Sequence, residues 1–332
     1  MPTEARKGDS EAFVLALLEG NELALNDLIG RNRWLLDVPT VRELDHGRAG
    51  SRFKSWTAGS PLSCAVQWGK PALVRTLLTA GADPNSADPN GATPLHHACQ
   101  LKYSQGAIDV PARLLLKHRA DPNPKSWQDG VTPLLVSCAT GFPEVVEQLL
   151  TAGADLSLRS ATGLTALFVA CSRADYDGAA KITRLLLQHL AAAIREEAVD
   201  GLWHRTLLEV RTKRGETCGY VRSHSNPQQQ QLQTNKNSPT WNARTIITPL
   251  HHILNYFGCT RCSRVPRSLQ TPLMAACQHG NTNCVLQLLH ARADCTATTP
   301  DGEFSALQIA NVQGHSDCAF LLRNAAAQQD RR

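Results

Sequence analysis

The sequence predicts an all-α fold, a solenoid of stacked helix–turn–helix units with projecting β-hairpin loops between them. Three observations predict it: a Thr-Pro-Leu or related phrase recurs along the 332 residues, a glycine follows many copies after nine residues, and a leucine pair follows that glycine. A fixed period of about 20–50 residues is typical of solenoids, in which each unit buries its apolar side against the next. The copies begin at Ser60, Thr93, Thr132, Thr165, Thr248, Thr271 and Ser305.

Each copy of the phrase has the chemistry of a helix start. A Thr or Ser hydroxyl can cap a free amide of the first turn, and proline at the first helical position loses no hydrogen bond. Glycines nine residues later suit a left-handed stop between two helices. The leucine pairs then form the apolar stripe of a second helix. The stop glycines are Gly69, Gly141, Gly280 and Gly314.

A second motif recurs after the first one, and the two together suggest a protein family. Gly81-Ala82-Asp83-Pro84-Asn85 is echoed at Arg119-Ala120-Asp121, Gly153-Ala154-Asp155 and Arg292-Ala293-Asp294. With the Thr-Pro-Leu-His start at Thr93, the chain resembles the ankyrin-repeat family over most of residues 60–324. The resemblance implies a helical array whose partners dock on a concave face of hairpin tips and first helices.

The positions of these repeated motifs divide the chain into segments. We expect a degenerate N-terminal capping unit (1–40), a polar insertion (41–59) and four repeats (60–190). A basic and Gln-rich insertion that is partly disordered (191–246) is followed by three repeats of which the first is truncated (247–324) and by a polar tail (325–332). The long insertion is expected to weaken coupling between the two halves.

Composition excludes several classes of protein. With 42% hydrophobic residues the chain can bury a core, and no segment is long and apolar enough to span a bilayer. The first residues do not resemble a secretory signal, so eleven cysteines suggest reduced thiols in a cytosolic or nuclear protein. The net charge of +5 equals that of residues 203–246, so the repeats themselves are not a basic nucleic-acid binder. We expect a monomer.

Recurrent histidines and cysteines favour structural roles. A histidine three residues after the cap, as at His96, can bond back to that cap and across to the next unit. Four cysteines stand six residues after their threonine, where a small apolar residue suits helix packing. They are Cys99, Cys138, Cys171 and Cys277.

One cysteine pair does not occupy these repeated positions. Cys259 and Cys262 form a C-x-x-C in the truncated unit, and with His251 they could complete a zinc site that replaces a missing helix. A single C-x-x-C without a second pair favours unligated loop cysteines instead. We therefore expect no metal and no cofactor.

The candidate partner-binding residues lie at helix ends and at one hairpin tip. Trp68, Leu101, Arg173 and Tyr256 stand eight residues after their Thr or Ser, near the end of the first helix. Trp127 falls in a hairpin one residue longer than its predecessor, so we expect it at the tip. Trp, Tyr and Arg dominate interface hot spots, although Trp127 could instead fold over a neighbouring loop and Trp68 could pack under residues 41–59.

No motif for catalysis stands out, so the sequence predicts a non-enzymatic scaffold or adaptor that binds another protein. One alternative is the substrate-recognition subunit of a ubiquitin ligase, a role that some ankyrin proteins fill through a C-terminal SOCS box. No such box is visible in the few polar residues after Leu322. The other alternative is the zinc protein described above.

Overall fold

The structure is a computed structural model, and it describes residues 2–37, 42–43, 56–57, 59–100, 110–127, 129–173, 176–197, 270–299 and 302–329. Within these ranges the chain is a stack of antiparallel helix pairs. It begins with α1 (Pro2–Glu19), α2 (Glu22–Arg31) and a 3-10 turn (Arg33–Asp37), followed by the two-residue strands β1 (Arg42–Glu43) and β2 (Trp56–Thr57), which pair antiparallel. The all-α prediction is confirmed, and the described residues add to it this small strand pair and an isolated bridge between Thr298 and Ser305.

Six helix pairs follow within the described ranges. They are α3 (Pro61–Gln67) with α4 (Pro71–Thr79), α5 (Pro94–Gln100) with α6 (Val110–Lys117), α7 (Pro133–Thr140) with α8 (Pro143–Thr151), α9 (Ala166–Cys171) with α10 (Tyr176–Glu197), α11 (Pro272–Gln278) with α12 (Thr282–His290), and α13 (Ala306–Gln313) with α14 (Ser316–Gln329). First helices pack on first helices and second helices on second helices, so one hydrophobic core runs through the stack.

The predicted caps set the helix starts. The hydroxyl of Thr132 accepts the Leu135 amide at 3.3 Å, and the hydroxyls of Ser60, Thr165, Thr271 and Ser305 accept the equivalent amide in their own units. All four stop glycines have left-handed φ values between 66° and 87°. Four first helices, α3, α7, α11 and α13, are therefore bounded by local chemistry at both ends.

The four repeated cysteines pack the core, as predicted. Cys99, Cys138, Cys171 and Cys277 are fully buried between successive first helices. Burial raises the pKa of the Cys138 thiol to about 12, and it raises the pKa of Cys99 and Cys277 further. A thiol of that pKa is not a nucleophile at neutral pH, so these side chains act as small apolar groups.

The two halves of the array meet directly, which contradicts the expected weak coupling. Helix α9 packs on α11 and α10 packs on α12, in the way that neighbouring units do elsewhere in the stack. The Asn281 side chain donates to the backbone oxygens of Cys171, at 3.1 Å, and Arg173. Across the same junction the Thr183 hydroxyl lies 3.5 Å from the Cys284 sulfur. The long connection in sequence does not separate the halves in space.

Helix α10 also differs from the expectation. It has 22 residues, whereas α4, α8 and α12 have nine each, and it includes the first seven residues of the predicted 191–246 insertion. The sequence after Leu187 has alanines and no Gly-Ala-Asp turn, so nothing local stops the helix. Residues 198–269, with the predicted unit at Thr248, lie outside the described residues.

Candidate protein-interaction surface

The loops between units are hairpins that close by one common device. The first residue of each hairpin donates its backbone amide to the last residue's carbonyl, and its side-chain oxygen accepts the last residue's amide. These first residues are buried, so their polar atoms are satisfied inside the stack. The described hairpins run from Asp88 to Ala92, Ser126 to Val131, Ser160 to Leu164 and Thr299 to Phe304.

Trp127 lies at the tip of the second of these hairpins, which is one residue longer than the first. Its side chain is 66% exposed, the largest exposure of any tryptophan that the structure describes. Its backbone amide donates to Asn90 O of the preceding hairpin at 3.0 Å. The indole also lies over Gly91, since a Cβ placed there would come within 2.5 Å of the Trp127 ring. The side chain therefore leans on the neighbouring hairpin and still presents most of its surface to solvent.

His96 supports the base of this hairpin from below. Its Nδ1 lies 3.1 Å from the Thr93 amide, which can only donate, so Nε2 carries the proton and donates to Val131 O at 2.9 Å. Burial lowers the pKa of His96 from 6.5 to about 4. The imidazole is thus neutral at physiological pH, and its predicted structural role is confirmed.

The predicted helix-end residue Arg173 contacts the preceding unit. Its guanidinium donates to the Ala139 carbonyl at the end of α7 and lies against Gly141, where a Cβ would overlap it. A cation at a helix C-terminus interacts favourably with the unsatisfied carbonyls and the helix dipole. The structure therefore uses this side chain to join two units.

Trp68 ends helix α3 and is only half-exposed. It packs against the hydrophobic core, and Lys70 Nζ lies 6.0 Å from the centre of its ring. The same ammonium donates to Leu17 O at 3.3 Å and to Leu18 O at the end of α1. Trp68 thus borders a contact between the first two units.

Other predicted residues lie outside the described part of the chain. These are Leu101 and Tyr256, and the three candidate zinc ligands Cys259, Cys262 and His251. Among the residues that the structure does describe, no group of three or more His, Cys, Asp and Glu side chains could hold a metal ion. In the same residues, no helix is long and apolar enough to cross a lipid bilayer.

Two residues beside Trp127 were not identified from the sequence. Lys125 and Arg159 stand at the same position of adjacent hairpins, one residue before the buried serine that opens each tip, and both are exposed. An alignment of the hairpins on the Ala-Asp turn places them together, because each lies four residues after its aspartate. The predictions from the sequence compared equivalent residues of the helices, but they compared only the lengths of the hairpins and not their equivalent residues.

This architecture defines the class: an α-solenoid of short helix pairs with an ordered row of hairpin tips on one edge. A family model of ankyrin repeats matches residues 62–160 and 250–332, which is more than half of the chain. The chain belongs to the ankyrin-repeat family.

Individual relatives agree with that assignment. The chain is 36% identical over 112 residues to neurogenic locus notch homolog protein 4 of Homo sapiens, covering 34% of this chain and 5% of the relative. It is 29% identical to ankyrin repeat and SOCS box protein 16 of Homo sapiens (61% of this chain, 47% of the relative) and 30% identical to NF-kappa-B inhibitor alpha of Sus scrofa (47% and 49%). The chain thus spans less than half the length of these curated relatives.

The fold has a counterpart among solved structures. The ankyrin repeat domain of Bcl-3 superposes with a TM-score of 0.57 at 20% identity, covering 94% of this chain and 97% of that one. At this level of identity the similarity shows the fold alone.

Proposed function

We propose that the chain is a non-enzymatic adaptor that binds another protein through its hairpin tips and the concave face of its first helices, with Trp127 as the principal anchor. The observation that carries the proposal is the exposure of Trp127 at a tip whose ends are joined by hydrogen bonds and whose base is held by His96. A rigid, exposed indole loses little conformational entropy on binding, which is why tryptophan is enriched among hot spots.

Family membership supports this proposal, because arrays of this kind present repeated surfaces rather than a catalytic cleft. Trp68, Leu101 and Tyr256 extend the proposed surface along the first-helix ends, and Arg173 borders this surface while its guanidinium binds the Ala139 carbonyl. We place the adaptor in the cytosol or the nucleus.

Affinity purification from cells, with wild-type and Trp127→Ala chains as bait, tests the proposal. We expect the variant to lose the captured partner, with a drop in affinity of about tenfold or more, and to keep its melting temperature. Phe320→Ala is the matched control, because Phe320 is 63% exposed but lies on the last helix, away from the tips. Equal capture by wild type and Trp127→Ala would contradict the anchor role.

A second candidate is a substrate-recognition subunit of a ubiquitin ligase. The match to ankyrin repeat and SOCS box protein 16, which extends over 61% of this chain, favours it. Co-purification of a cullin adaptor with the wild-type bait would support this role, and its repeated absence from a bait that captures other partners would exclude it.

A further inference from the structure

The two hairpins at 126–131 and 160–164 present basic and aromatic side chains on one surface. In the first of them Ser126 is buried while Lys125 and Trp127 on either side are exposed. Lys125 and Trp127 are therefore the two exposed neighbours of a buried serine at the start of this tip. Arg159, buried Ser160 and exposed Ala161 repeat this alternation in the next hairpin.

Backbone hydrogen bonds hold these tips side by side. The Ala161 amide donates to Asp129 O at 2.7 Å, and the Trp127 amide donates to Asn90 O at 3.0 Å. The two cations therefore occupy equivalent positions of adjacent, directly bonded hairpins, and the exposed Trp127 stands two residues after Lys125. We call Lys125, Trp127 and Arg159 the tip patch.

The two cations of the tip patch form no ion pair within the described part of the chain. No described carboxylate lies within ion-pair distance of Lys125 or Arg159. Asp129, the acidic residue of this tip, is half-buried and has an interaction of its own. At the hairpin bases, the carboxylates of Asp121 and Asp155 accept amides of their own turns.

The surrounding tips make the patch distinct. The first hairpin carries Ala87 and Pro89 at the positions of Lys125 and Trp127, and the last carries Thr298 at the position of Lys125. Positive charge and a large aromatic surface therefore coincide at two adjacent tips.

We propose that the tip patch docks a protein segment that carries carboxylates next to an aromatic or apolar side chain. Two cations one hairpin apart attract carboxylates from a distance and set their register, while the indole supplies apolar contact area. This inference rests on the proposed function and specifies the chemistry of its partner.

Synthetic copolymers probe that chemistry without knowledge of the partner. A fluorescent Glu–Tyr copolymer is titrated with the full chain, alongside a Lys–Tyr copolymer and a single-stranded DNA of similar length. We expect the Glu–Tyr copolymer to bind and the other two to bind at least about tenfold more weakly, and we expect its affinity to fall between about 50 mM and about 500 mM salt. Equal or tighter binding of either competitor would overturn the proposal.

Charge reversal locates the binding. The double variant Lys125→Glu/Arg159→Glu is compared with Arg75→Glu/Lys181→Glu, which changes the net charge equally on exposed positions of α4 and α10. We expect about a tenfold loss of copolymer affinity for the tip variant and less than about twofold for the control. Equal losses would mean that only net charge matters, and would overturn the assignment to the tips.

The same two variants serve as bait in the affinity purification. Loss of the partner with the tip variant supports both proposals. A partner that Trp127→Ala loses but Lys125→Glu/Arg159→Glu retains would leave the adaptor function standing and refute the acidic partner. A partner that every variant retains would refute both the Trp127 anchor and the tip patch, whereas failure of the wild-type chain to capture any partner would refute the adaptor function itself.

Discussion

The ends of the first helices and the tips of the hairpins carry similar residue types, but the fold uses them differently. At the helix ends, Arg173 donates to a carbonyl of the preceding unit and Asn281 does the same one unit further on. At the tips, Lys125 and Arg159 have no ion-pair partner among the described residues, and Trp127 is mostly exposed.

The reason lies in the backbone. The last carbonyls of a helix have no intrahelical partner, so a long polar side chain of the next unit is stabilised there. Lys70 at the end of α1 is a further example, and Arg33 of the preceding unit donates to Ala80 O at the end of α4 in the same way. In the hairpins, backbone groups pair within the loop and with the neighbouring tips, so the exposed side chains of Lys125, Trp127 and Arg159 are not used for these contacts. In this array, Arg173, Asn281 and Lys70 bond to helix ends of neighbouring units, and the side chains at the hairpin tips are those we propose for partner recognition.

The largest expected effect is a pH dependence of the stability, caused by the buried His96 that donates to the hairpin of Trp127. The pKa of His96 is lowered on folding, so the folded state binds fewer protons than the unfolded state. The stabilisation is complete above pH about 6.5 and is lost as the pH falls towards 4. We expect a loss of about 3 kcal/mol in the free energy of unfolding over that range, measured by urea denaturation.

The control for this titration is His96→Leu, since the next unit carries Leu135 at the same position. This variant should be less stable at neutral pH, because Val131 O loses its donor, and its stability should depend less on pH. An unchanged pH dependence would assign the titration to another group.

The next effect compares a helix-end arginine with a tip arginine. Arg173→Ala should lower the free energy of unfolding by about 2 kcal/mol, because it removes a charged donor from a helix terminus. Arg159→Ala should change it by less than about 0.5 kcal/mol. Thermal and chemical denaturation of the two variants measure the difference, and similar costs would remove the distinction between the two regions.

A smaller effect isolates the contact between the tips. Gly91 and Gly302 hold the same hairpin position with φ of 77° and 74°, but only at Gly91 would a Cβ meet the Trp127 ring. Gly302→Ala should cost about 1 kcal/mol for the left-handed backbone alone. Gly91→Ala should cost more and should also weaken partner binding, because Trp127 must move. Equal costs in denaturation, with unchanged binding, would mean that the indole is not held by this contact.

The smallest expected effect is a gain in stability. Arg119 has a φ of 64° at a position where Gly81 and Gly153 stand in other units. Arg119→Gly should stabilise the chain by about 0.5–1 kcal/mol by relieving the left-handed strain. A shift of the denaturation midpoint measures it, and no gain would indicate that the arginine side chain contributes an equal stabilising contact.

The predictions from the sequence were most accurate where structure is local. The caps at Thr132 and Thr271, the left-handed stop at Gly141 and the buried Cys171 all follow from a phrase whose chemistry acts within a few residues. Helix α10 crosses the predicted segment boundary at residue 191, because its C-terminal residues were assigned to the insertion. The tip patch was missed because its cations are more than thirty residues apart in sequence.

The sequence by itself determined that helix pairs form, where each first helix begins and stops, and that the pairs stack, because capping, left-handed glycines and apolar periodicity are local or repeated. Only the tertiary structure decided which side chains remain exposed. Arg173 and Trp127 look alike as hot-spot candidates, but the first meets unpaired carbonyls of the adjacent unit and the second meets a hairpin whose backbone is already satisfied. That difference depends on which atoms the neighbouring unit presents, and therefore on the packing of units distant in sequence.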